Sequence, residues 1–423
     1  YQTILANQLY RRYQHVFPLN YKDNYRPQDA ITDISLLETL RQDAPLAVEV
    51  LPTEGRSARF KLLQWNQQLS LSRVMPILES FGLKVLQEQA FALLHEDNCL
   101  WLHDFRTELP EALPKEVFAQ SLSYVRDAMQ VFWQGGIEAD VFNRLVTVLP
   151  CRWREAHIFR VLSAYLKQVA FPLSALAQAE ALTRYPTIGR SLLELFQARF
   201  DPNITTDRQE RQASILKRID LALDKVQTMA DERVLREFMS LILAIVRTNF
   251  YVKSAIDAQR ISVKFDSGVL RMLPDPKPWR EVFVYSPDVM GLHLRFGAVA
   301  RGGIRWSDRP EDFRTEVLGL VKSQQVKNAV IVPVGAKGAF VVRTVYGDKQ
   351  EIGLHAYKEF LRGILDVTDN HQKDKIITPK DVVCHDDDDS YLVVAADKGT
   401  ASFSDTANAV AAEYQFWLGD AFA

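Results

Sequence analysis

Residues 294–338 read LRFGAVARGGIRWSDRPEDFRTEVLGLVKSQQVKNAVIVPVGAKG, and this stretch decides the fold of the second half of the chain. Its apolar runs complete a strand at GLHLRFGA and form another at AVIVPV, with a helix over residues 310–328 between them. The runs ISVKFD, REVFVYS and AFVVRTV and a second helix over 351–366 extend the pattern. Strands interleaved with helices predict an α/β domain.

Two glycine-flanked cations, Arg301 and Lys337, lie on either side of the first helix, and Lys327 lies near its end. Gly302 and Gly303 follow Arg301, where they allow positive φ angles and let a ligand come close. Three cations beside flexible backbone suit a small dianionic substrate. The alternative for Arg301 alone is a connecting arginine that pairs with a nearby acid.

Lys337 lies between two glycines in VPVGAKGAFVV, where it joins two apolar strands and has no hydrophobic role. A lysine shielded from water by such strands can serve as a general base or a nucleophile. Lys327, taken alone, reads as a lysine that caps the C-terminal end of its helix. The three cations together predict a functional site.

A further strand, YLVVAA, ends at Asp397 before a glycine turn at Gly399, and a helix should start at Ser404 or Asp405. Because functional side chains gather where strands end, Asp397 is well placed to meet Lys337. The acidic run that follows His385 resembles a metal site. Consecutive carboxylates rarely converge on one ion, however, so we interpret the run as a solvated turn and assign no metal.

The remaining chain divides into regions of different character. Residues 1–45 read as a helical segment, 46–112 as a small ferredoxin-like module in β-α-β-β order, and 113–255 as a helical region. Residues 256–423 form the α/β domain. A chain of 423 residues is too long for one ordinary core, which agrees with about two to four domains.

Composition excludes several classes of function. With 47% hydrophobic and 25% charged residues and a net charge of −2, the chain carries no global basic signature of nucleic-acid or membrane binding. Cys99, Cys151 and Cys384 fit no disulfide framework and no CxxC pattern, which predicts a reducing, cytoplasmic location. Neither a phosphate loop nor a GxGxxG dinucleotide fingerprint occurs. The chain begins without Met and ends at GDAFA, so we expect it to be part of a larger polypeptide.

The motif RGGIRWSDRPEDFRTEVLGLVKSQQVKNAVIVPVGAKGAFVV, together with YLVVAADKGTASFSDTAN, resembles the large bacterial NAD-specific glutamate dehydrogenases. The resemblance is close over residues 260–423 and extends, more distantly, to the substrate domain of the hexameric glutamate dehydrogenases. By weaker motifs, residues 56–109 and 110–250 resemble the ACT-type and helical regions of the same large enzymes. The implied fold class is multi-domain α+β and α/β, without a Rossmann domain in this chain.

The resemblance also implies roles for individual residues. Arg301 matches a lysine that binds a substrate carboxylate in a KGGxR motif, and Lys327 matches the lysine that holds the other carboxylate. Lys337 matches the catalytic lysine of a GGxKGG motif, although Ala339 replaces the second glycine after it. The implied site comprises Lys337 and Asp397 as catalytic residues and Arg301, Gly302, Gly303, Gln324 and Lys327 as substrate-binding residues.

The implied reaction is the oxidative deamination of L-glutamate to 2-oxoglutarate and ammonia with NAD. In it Lys337 helps water to attack an iminium and Asp397 exchanges protons with the substrate nitrogen. The Rossmann domain for NAD would follow Ala423, so the isolated segment should be inactive. A homo-oligomer and an amino-acid effector at the ACT-like module are further expectations.

Two alternatives remain open. Lys337 could instead form a Schiff base with a carbonyl substrate or with pyridoxal phosphate, as in other lysine enzymes. Alternatively, the chain could be an amino-acid-sensing or oligomerisation module whose α/β domain has no catalytic role.

Overall fold

The computed structural model describes residues 2–41, 45–53, 56–95, 98–109, 113–327, 332–344, 347–373, 375–419 and 421, with the backbone alone for 2–6 and 324–327. These residues form two compact units, 1–157 and 158–423. Within the described ranges, no helix combines the length and the apolar character needed to cross a membrane.

The first unit consists of an antiparallel sheet with helices before, within and after it. Its elements are α1 (Gln2–Tyr13), α2 (Leu19–Asn24), α3 (Pro27–Leu37), β1 (Leu46–Pro52), β2 (Ser57–Trp65), α4 (Leu71–Ser80), β3 (Lys84–His95), β4 (Asn98–Glu108), α5 (Lys115–Trp133) and α6 (Arg144–Val148). The four strands lie in the order β1-β2-β4-β3. The β-α-β-β order that the sequence predicts is present, and β1 adds a strand beside β2.

One face of this sheet packs against the N-terminal helices. Leu63, Phe91 and Leu102 on the sheet and Tyr13 and Tyr21 on or near the helices belong to one buried cluster. A buried ion pair lies on the same face, since the Lys61 amine is 2.6 Å from a carboxylate oxygen of Asp33. The N-terminal helices therefore cover the apolar part of this face, and the part that carries polar side chains lines a cavity.

The second unit contains a seven-stranded mixed sheet between helices. Its elements are α7 (Trp153–Gln168, which starts in the first unit), α8 (Ala175–Arg184), α9 (Pro186–Phe200), α10 (Arg208–Leu223), α11 (Met229–Ala244), β5 (Ile245–Thr248), α12 (Lys253–Asp257), β6 (Ile261–Asp266), β7 (Arg280–Tyr285), β8 (Val289–Arg295), β9 (Ala300–Trp306), α13 (Phe313–Lys327), β10 (Val334–Val342), α14 (Lys349–Leu365), β11 (Asn370–Gln372), β12 (Lys375–Ile377), β13 (Val393–Ala396) and α15 (Ser404–Glu413). The strand order is β13-β9-β10-β8-β7-β6-β5, and β11 pairs with β12 separately.

This arrangement confirms a mixture of helices and strands and positions the candidate site. The strands β13, β9 and β10 are mutually parallel neighbours, whereas β5 to β8 and the β10–β8 pair are antiparallel. Helix α13 joins β9 to β10 and α14 follows β10. Helix α15 begins at Ser404, as predicted.

Three local expectations differ from the structure. Helix α13 begins at Phe313 and not at 310, because residues before it form a turn in which the Ser307 hydroxyl accepts a hydrogen bond from the Arg309 amide. Of the predicted strand 329–334, residues 329–331 lie outside the described residues, and β10 begins only at Val334. The segment around Lys337 is one continuous strand, β10, and not a loop between two strands.

Helix α13 is fastened to the sheet by a buried ion pair. The guanidinium of Arg314, in the first turn, donates to both oxygens of the Glu281 carboxylate at 2.9 and 2.6 Å. Glu281 is fully buried and also accepts from the Tyr165 hydroxyl. Burial of Arg314 lowers its pKa, and the attraction of Glu281 outweighs this and raises it, so the cation is retained. The start of the helix is therefore fixed relative to β7.

Candidate active site

Lys337 and Asp397 meet at the centre of the parallel part of the sheet. Lys337 lies in the middle of β10, and Asp397 directly follows the last residue of β13. Strand β9 separates these two strands, so the pair spans it. The Lys337 amine donates to an Asp397 carboxylate oxygen at 2.7 Å. The structure thus brings together the two residues for which the sequence predicts catalytic roles.

The glycines of β9 make this contact possible. A Cβ at Gly303 would lie 2.9 Å from the Asp397 Cβ and 3.3 Å from the Lys337 amine. A Cβ at Gly302 would lie 1.5 Å from the Ala336 carbonyl oxygen. Neither glycine has a positive φ, so the expectation of left-handed backbone is wrong. Both glycines are needed because other groups approach β9 closely.

The Asp397 carboxylate is surrounded by donors. It accepts from Lys337, from the Lys398 amide at 2.8 Å and, more distantly, from the Arg305 guanidinium at 3.4 Å. Partial burial raises the pKa of Asp397, but the hydrogen bonds from Lys337, Lys398 and Arg305 lower it to about 2. Asp397 is therefore a carboxylate at neutral pH.

Arg305 receives no role in the sequence analysis, although it is the last residue of the segment that matches the KGGxR motif. Its guanidinium contacts Asp397 and also donates to Glu316 of α13 at 2.7 Å, and the Ser307 hydroxyl donates to the other oxygen of Glu316. Arg305 thus ties the Asp397 carboxylate to α13. The signal that could have found it is the strand alternation, which places Arg301, Gly303 and Arg305 on one face of β9.

Arg301 lies within β9 and not after a strand, and its side chain is exposed. Two steps along the strand place it roughly 7 Å from Gly303, beside which the Lys337 amine lies. Within the described part of the chain, the Arg301 guanidinium has no hydrogen-bond or ion-pair partner. It is therefore available to an anion that enters beside Lys337.

The side chains of Gln324 and Lys327 lie outside the described residues, although their backbone belongs to α13. A helix that joins two parallel neighbours runs antiparallel to them. The last turn of α13 therefore returns to the level at which β9 and β10 begin. Arg301 lies at the same end of β9.

The acidic run after His385 is only partly solvated: Asp387 and Asp388 are exposed, as expected for a solvated turn, but the interpretation is wrong for Asp386 and Asp389. The side chains of Asp386 and Asp389 are almost completely buried, and each carboxylate lies 2.7 Å from the Lys264 amine. Arg295 also donates to Asp389. The run is neutralised by cations from distant strands, which its local sequence does not reveal. Within the described part of the chain, no group of three or more acidic, histidine or cysteine residues is arranged to hold a metal.

The site can bind a small anion and move protons. On one face of the sheet it offers the Arg301 guanidinium, which has no partner among the described residues, the Lys337 amine and the Asp397 carboxylate. The described residues contain no glycine-rich turn between a strand and a helix of the kind that cradles a dinucleotide pyrophosphate. These residues therefore do not fit an NAD site.

Four family models match consecutive parts of the chain. They are the catalytic domain of bacterial NAD-glutamate dehydrogenase at residues 218–423, glutamate dehydrogenase helical motif 3 at 137–202, the ACT3 domain at 25–120, and helical motif 2 at 4–40.

Three curated relatives are each called NAD-specific glutamate dehydrogenase. The protein of Pseudomonas aeruginosa is 45% identical over 96% of this chain and 26% of the relative. That of Halomonas elongata is 42% identical over 99% of this chain and 26% of the relative. That of Mycobacterium tuberculosis is 41% identical over 97% of this chain and 27% of the relative. The chain thus spans about a quarter of the length of these relatives.

Proposed function

The chain belongs to the family of the bacterial NAD-specific glutamate dehydrogenases, and we propose that it provides the glutamate site of such an enzyme. The proposed reaction is the oxidative deamination of L-glutamate to 2-oxoglutarate and ammonia with NAD. The observation that carries the proposal is the Lys337–Asp397 pair beside an unpaired Arg301.

Substrate binding follows from the distribution of charge. L-Glutamate carries two carboxylates, and Arg301 is free to hold one of them through two parallel hydrogen bonds. We assign the other carboxylate to Lys327, with Gln324 beside it at the end of α13. Gly302 and Gly303 leave the room that a substrate between these cations requires.

Proton transfer is assigned to the central pair. Asp397 is ionised, so its carboxylate is a base for the proton of the substrate nitrogen. The amine of Lys337, 2.7 Å from Asp397, exchanges a proton with it and acts on the water that attacks the oxidised substrate carbon. General acid–base catalysis of this kind contributes about 10²–10⁴-fold.

Other parts of the enzyme complete the proposal. NAD would supply the hydride acceptor, and its binding is assigned to a region of the enzyme outside these residues. Residues 46–112 are proposed to be an ACT-type module that receives a small effector, 113–255 a helical region, and 256–423 the substrate domain. A cytoplasmic location and a homo-oligomeric state stay predictions.

Steady-state kinetics of Arg301→Gln in the complete enzyme test the substrate assignment. Losing a charge-assisted hydrogen bond costs about 1.5–3 kcal/mol, so the KM for glutamate should rise about 10–100-fold. The exposed Arg309, which pairs with Asp312, gives a matched control, since Arg309→Gln should leave the KM unchanged. An unchanged KM in Arg301→Gln would remove Arg301 from the site. Borohydride trapping of substrate on Lys337 would favour Schiff-base chemistry instead.

A further inference from the structure

The first unit contains a polar cavity of about 320 Å³ between the end of α2 and the open half of the sheet. Residues from β2, β3 and β4, together with the chain after α2 and after β1, line it: Asn24, Tyr25, Thr53, Ser57, Arg59, Gln87, Gln89, Asp104 and Arg106. A cavity at the small end of the range for ligand sites suits a ligand of a few heavy atoms. All of its lining side chains are polar or charged or carry a polar tip.

Two arginines face this cavity from adjacent strands. Arg59 and Arg106 are direct cross-strand partners of β2 and β4, so their side chains leave the same face of the sheet side by side. Like charges directly opposite each other on a sheet are destabilising. The pairing therefore needs compensation by negative charge.

Within the described residues, only Arg59 has acidic partners that compensate its charge. The Arg59 guanidinium donates to Asp104 and to Asp29 and stacks over the Tyr25 ring at 4.9 Å. The Tyr25 hydroxyl lies 2.9 Å from Asp104 and from Gln89, which fixes this wall of the cavity. Asp104 is consequently occupied by Arg59 and Tyr25.

Arg106 is exposed and has no described hydrogen-bond or ion-pair partner. Gln87 lies opposite it on β3, and Gln89 lies opposite Asp104 on the same strand. Among the described residues the Gln87 side chain likewise has no partner, and the Gln89 side chain has one, the Tyr25 hydroxyl at its oxygen. One guanidinium fork and two amide groups therefore line the same cavity.

We propose that this cavity binds a small carboxylate of amino-acid size, with the carboxylate on Arg106 and the remaining polar groups on Gln87 and Gln89. A planar guanidinium matches a carboxylate in a bidentate manner. A phosphate, with its higher charge, would face the buried carboxylate of Asp104 next to a single uncompensated cation. The proposal gives the effector role of residues 46–112 a defined place, and it rests on that role but not on the reaction assigned to the second unit.

Calorimetric titration of the complete enzyme tests the site with L-amino acids and with the corresponding 2-oxo acids, each without NAD. The two series share the carboxylate and differ in the ammonium group, so their comparison shows whether the ligand is an amino acid or a 2-oxo acid. Arg106→Gln should weaken binding of the active compound about tenfold or more. Arg11→Gln removes an exposed arginine of the same unit that does not line the cavity, and it should bind as the wild type does.

Glutamate turnover separates this proposal from the function proposed above. Arg106→Gln, whose residue is exposed and remote in sequence from the catalytic pair, should keep basal turnover and lose only the response to the ligand. Gln87→Ala should weaken the same ligand to a smaller degree. Equal affinity in wild type and Arg106→Gln, or no binding by either series outside the glutamate site, would overturn the proposal and leave the glutamate reaction untouched.

Discussion

The two faces of the second sheet use the same residue types for different purposes. On one face Lys337 pairs with Asp397, and on the other Lys264 pairs with Asp386 and Asp389. The strand register shows that the two pairs lie on opposite faces. Lys337 lies opposite Leu294 and shares its face, whereas the next residue, Arg295, points to the other face and contacts Asp389. The side chains of Lys337 and Asp397 are 12% and 20% exposed, whereas those of Lys264 and Asp389 are 1% and 4% exposed.

The buried ion pairs form one cluster, called here the sealed cluster, in which three cations are paired with three carboxylates. Its members are Arg247, Lys264, Arg295, Asp369, Asp386 and Asp389. Each cation there contacts at least one carboxylate, and no member faces solvent. The Lys337–Asp397 pair, called here the open pair because it is partly exposed, lies beside Arg301, a cation without a described partner. A charge cluster that is closed and balanced holds the fold, whereas one that is accessible and has an uncompensated charge is ready for a ligand.

Asp397→Asn is expected to have the largest effect. It removes the only carboxylate of the open pair, so turnover of the complete enzyme should fall about 10²–10⁴-fold. Because the position is partly exposed, the free energy of unfolding should fall less than it does when a carboxylate of the buried cluster is replaced. Steady-state rates together with urea titrations measure both quantities. Asn at this position with near-normal turnover would exclude Asp397 from proton transfer.

Asp389→Asn should show the opposite pattern. Asp389 is buried between Lys264 and Arg295, and removing one partner of a buried ion pair costs about 3–5 kcal/mol. Burial raises the pKa of Asp389, but Arg295 and Lys264 lower it well below its ordinary range. Its contribution is therefore present at neutral pH and lost in acid. A urea midpoint equal to that of the wild type would contradict a structural role for the cluster.

Arg305→Met should have a smaller effect on turnover than Asp397→Asn, and it should also change the pH dependence of stability. Arg305 is one of the donors that hold the pKa of Asp397 at about 2, so its removal should raise that pKa toward the ordinary value of about 3.9. The folded-state pKa is depressed, so the ionised carboxylate stabilises the fold above pH ~4, and this stabilisation is lost as pH falls toward 2.

Turnover of Arg305→Met should fall by up to about 10²-fold, since small displacements of catalytic groups can cost that much. Arg305→Lys, which keeps a charge near Asp397, should recover part of the loss. A carboxylate titration of Asp397 by NMR that is the same in wild type and Arg305→Met would show that Arg305 does not act on this carboxylate.

The sequence predicts the meeting of Lys337 and Asp397 from local strand patterns, but the rule that functional groups gather at strand ends applies only to Asp397, because Lys337 lies within β10. It does not predict the role of Glu316 or Arg305, because their contact depends on where α13 lies on the sheet. Strand β1 was also missed, since its short run LAVEVLP lacks a strict alternation of apolar and polar residues.

The acidic run after His385 is a second case in which the local sequence does not predict the contacts of its side chains. Four consecutive aspartates predict a solvated turn on composition alone. The partners of Asp386 and Asp389 lie in β5, β6 and β8, about a hundred residues or more earlier in the chain. Only tertiary structure brings these cations to the run, so a local pattern gives the wrong environment.

One pair of matched substitutions tests the contrast between the faces directly. In the complete enzyme, Lys337→Met and Lys264→Met each replace one paired lysine by an apolar side chain of similar length, and each variant is assayed for glutamate turnover and urea unfolding. We predict that Lys337→Met loses turnover with only a small loss of unfolding free energy, whereas Lys264→Met is destabilised by several kcal/mol. An active Lys337→Met enzyme, or a Lys264→Met enzyme as stable as the wild type, would contradict the division of the sheet into a catalytic face and a structural face.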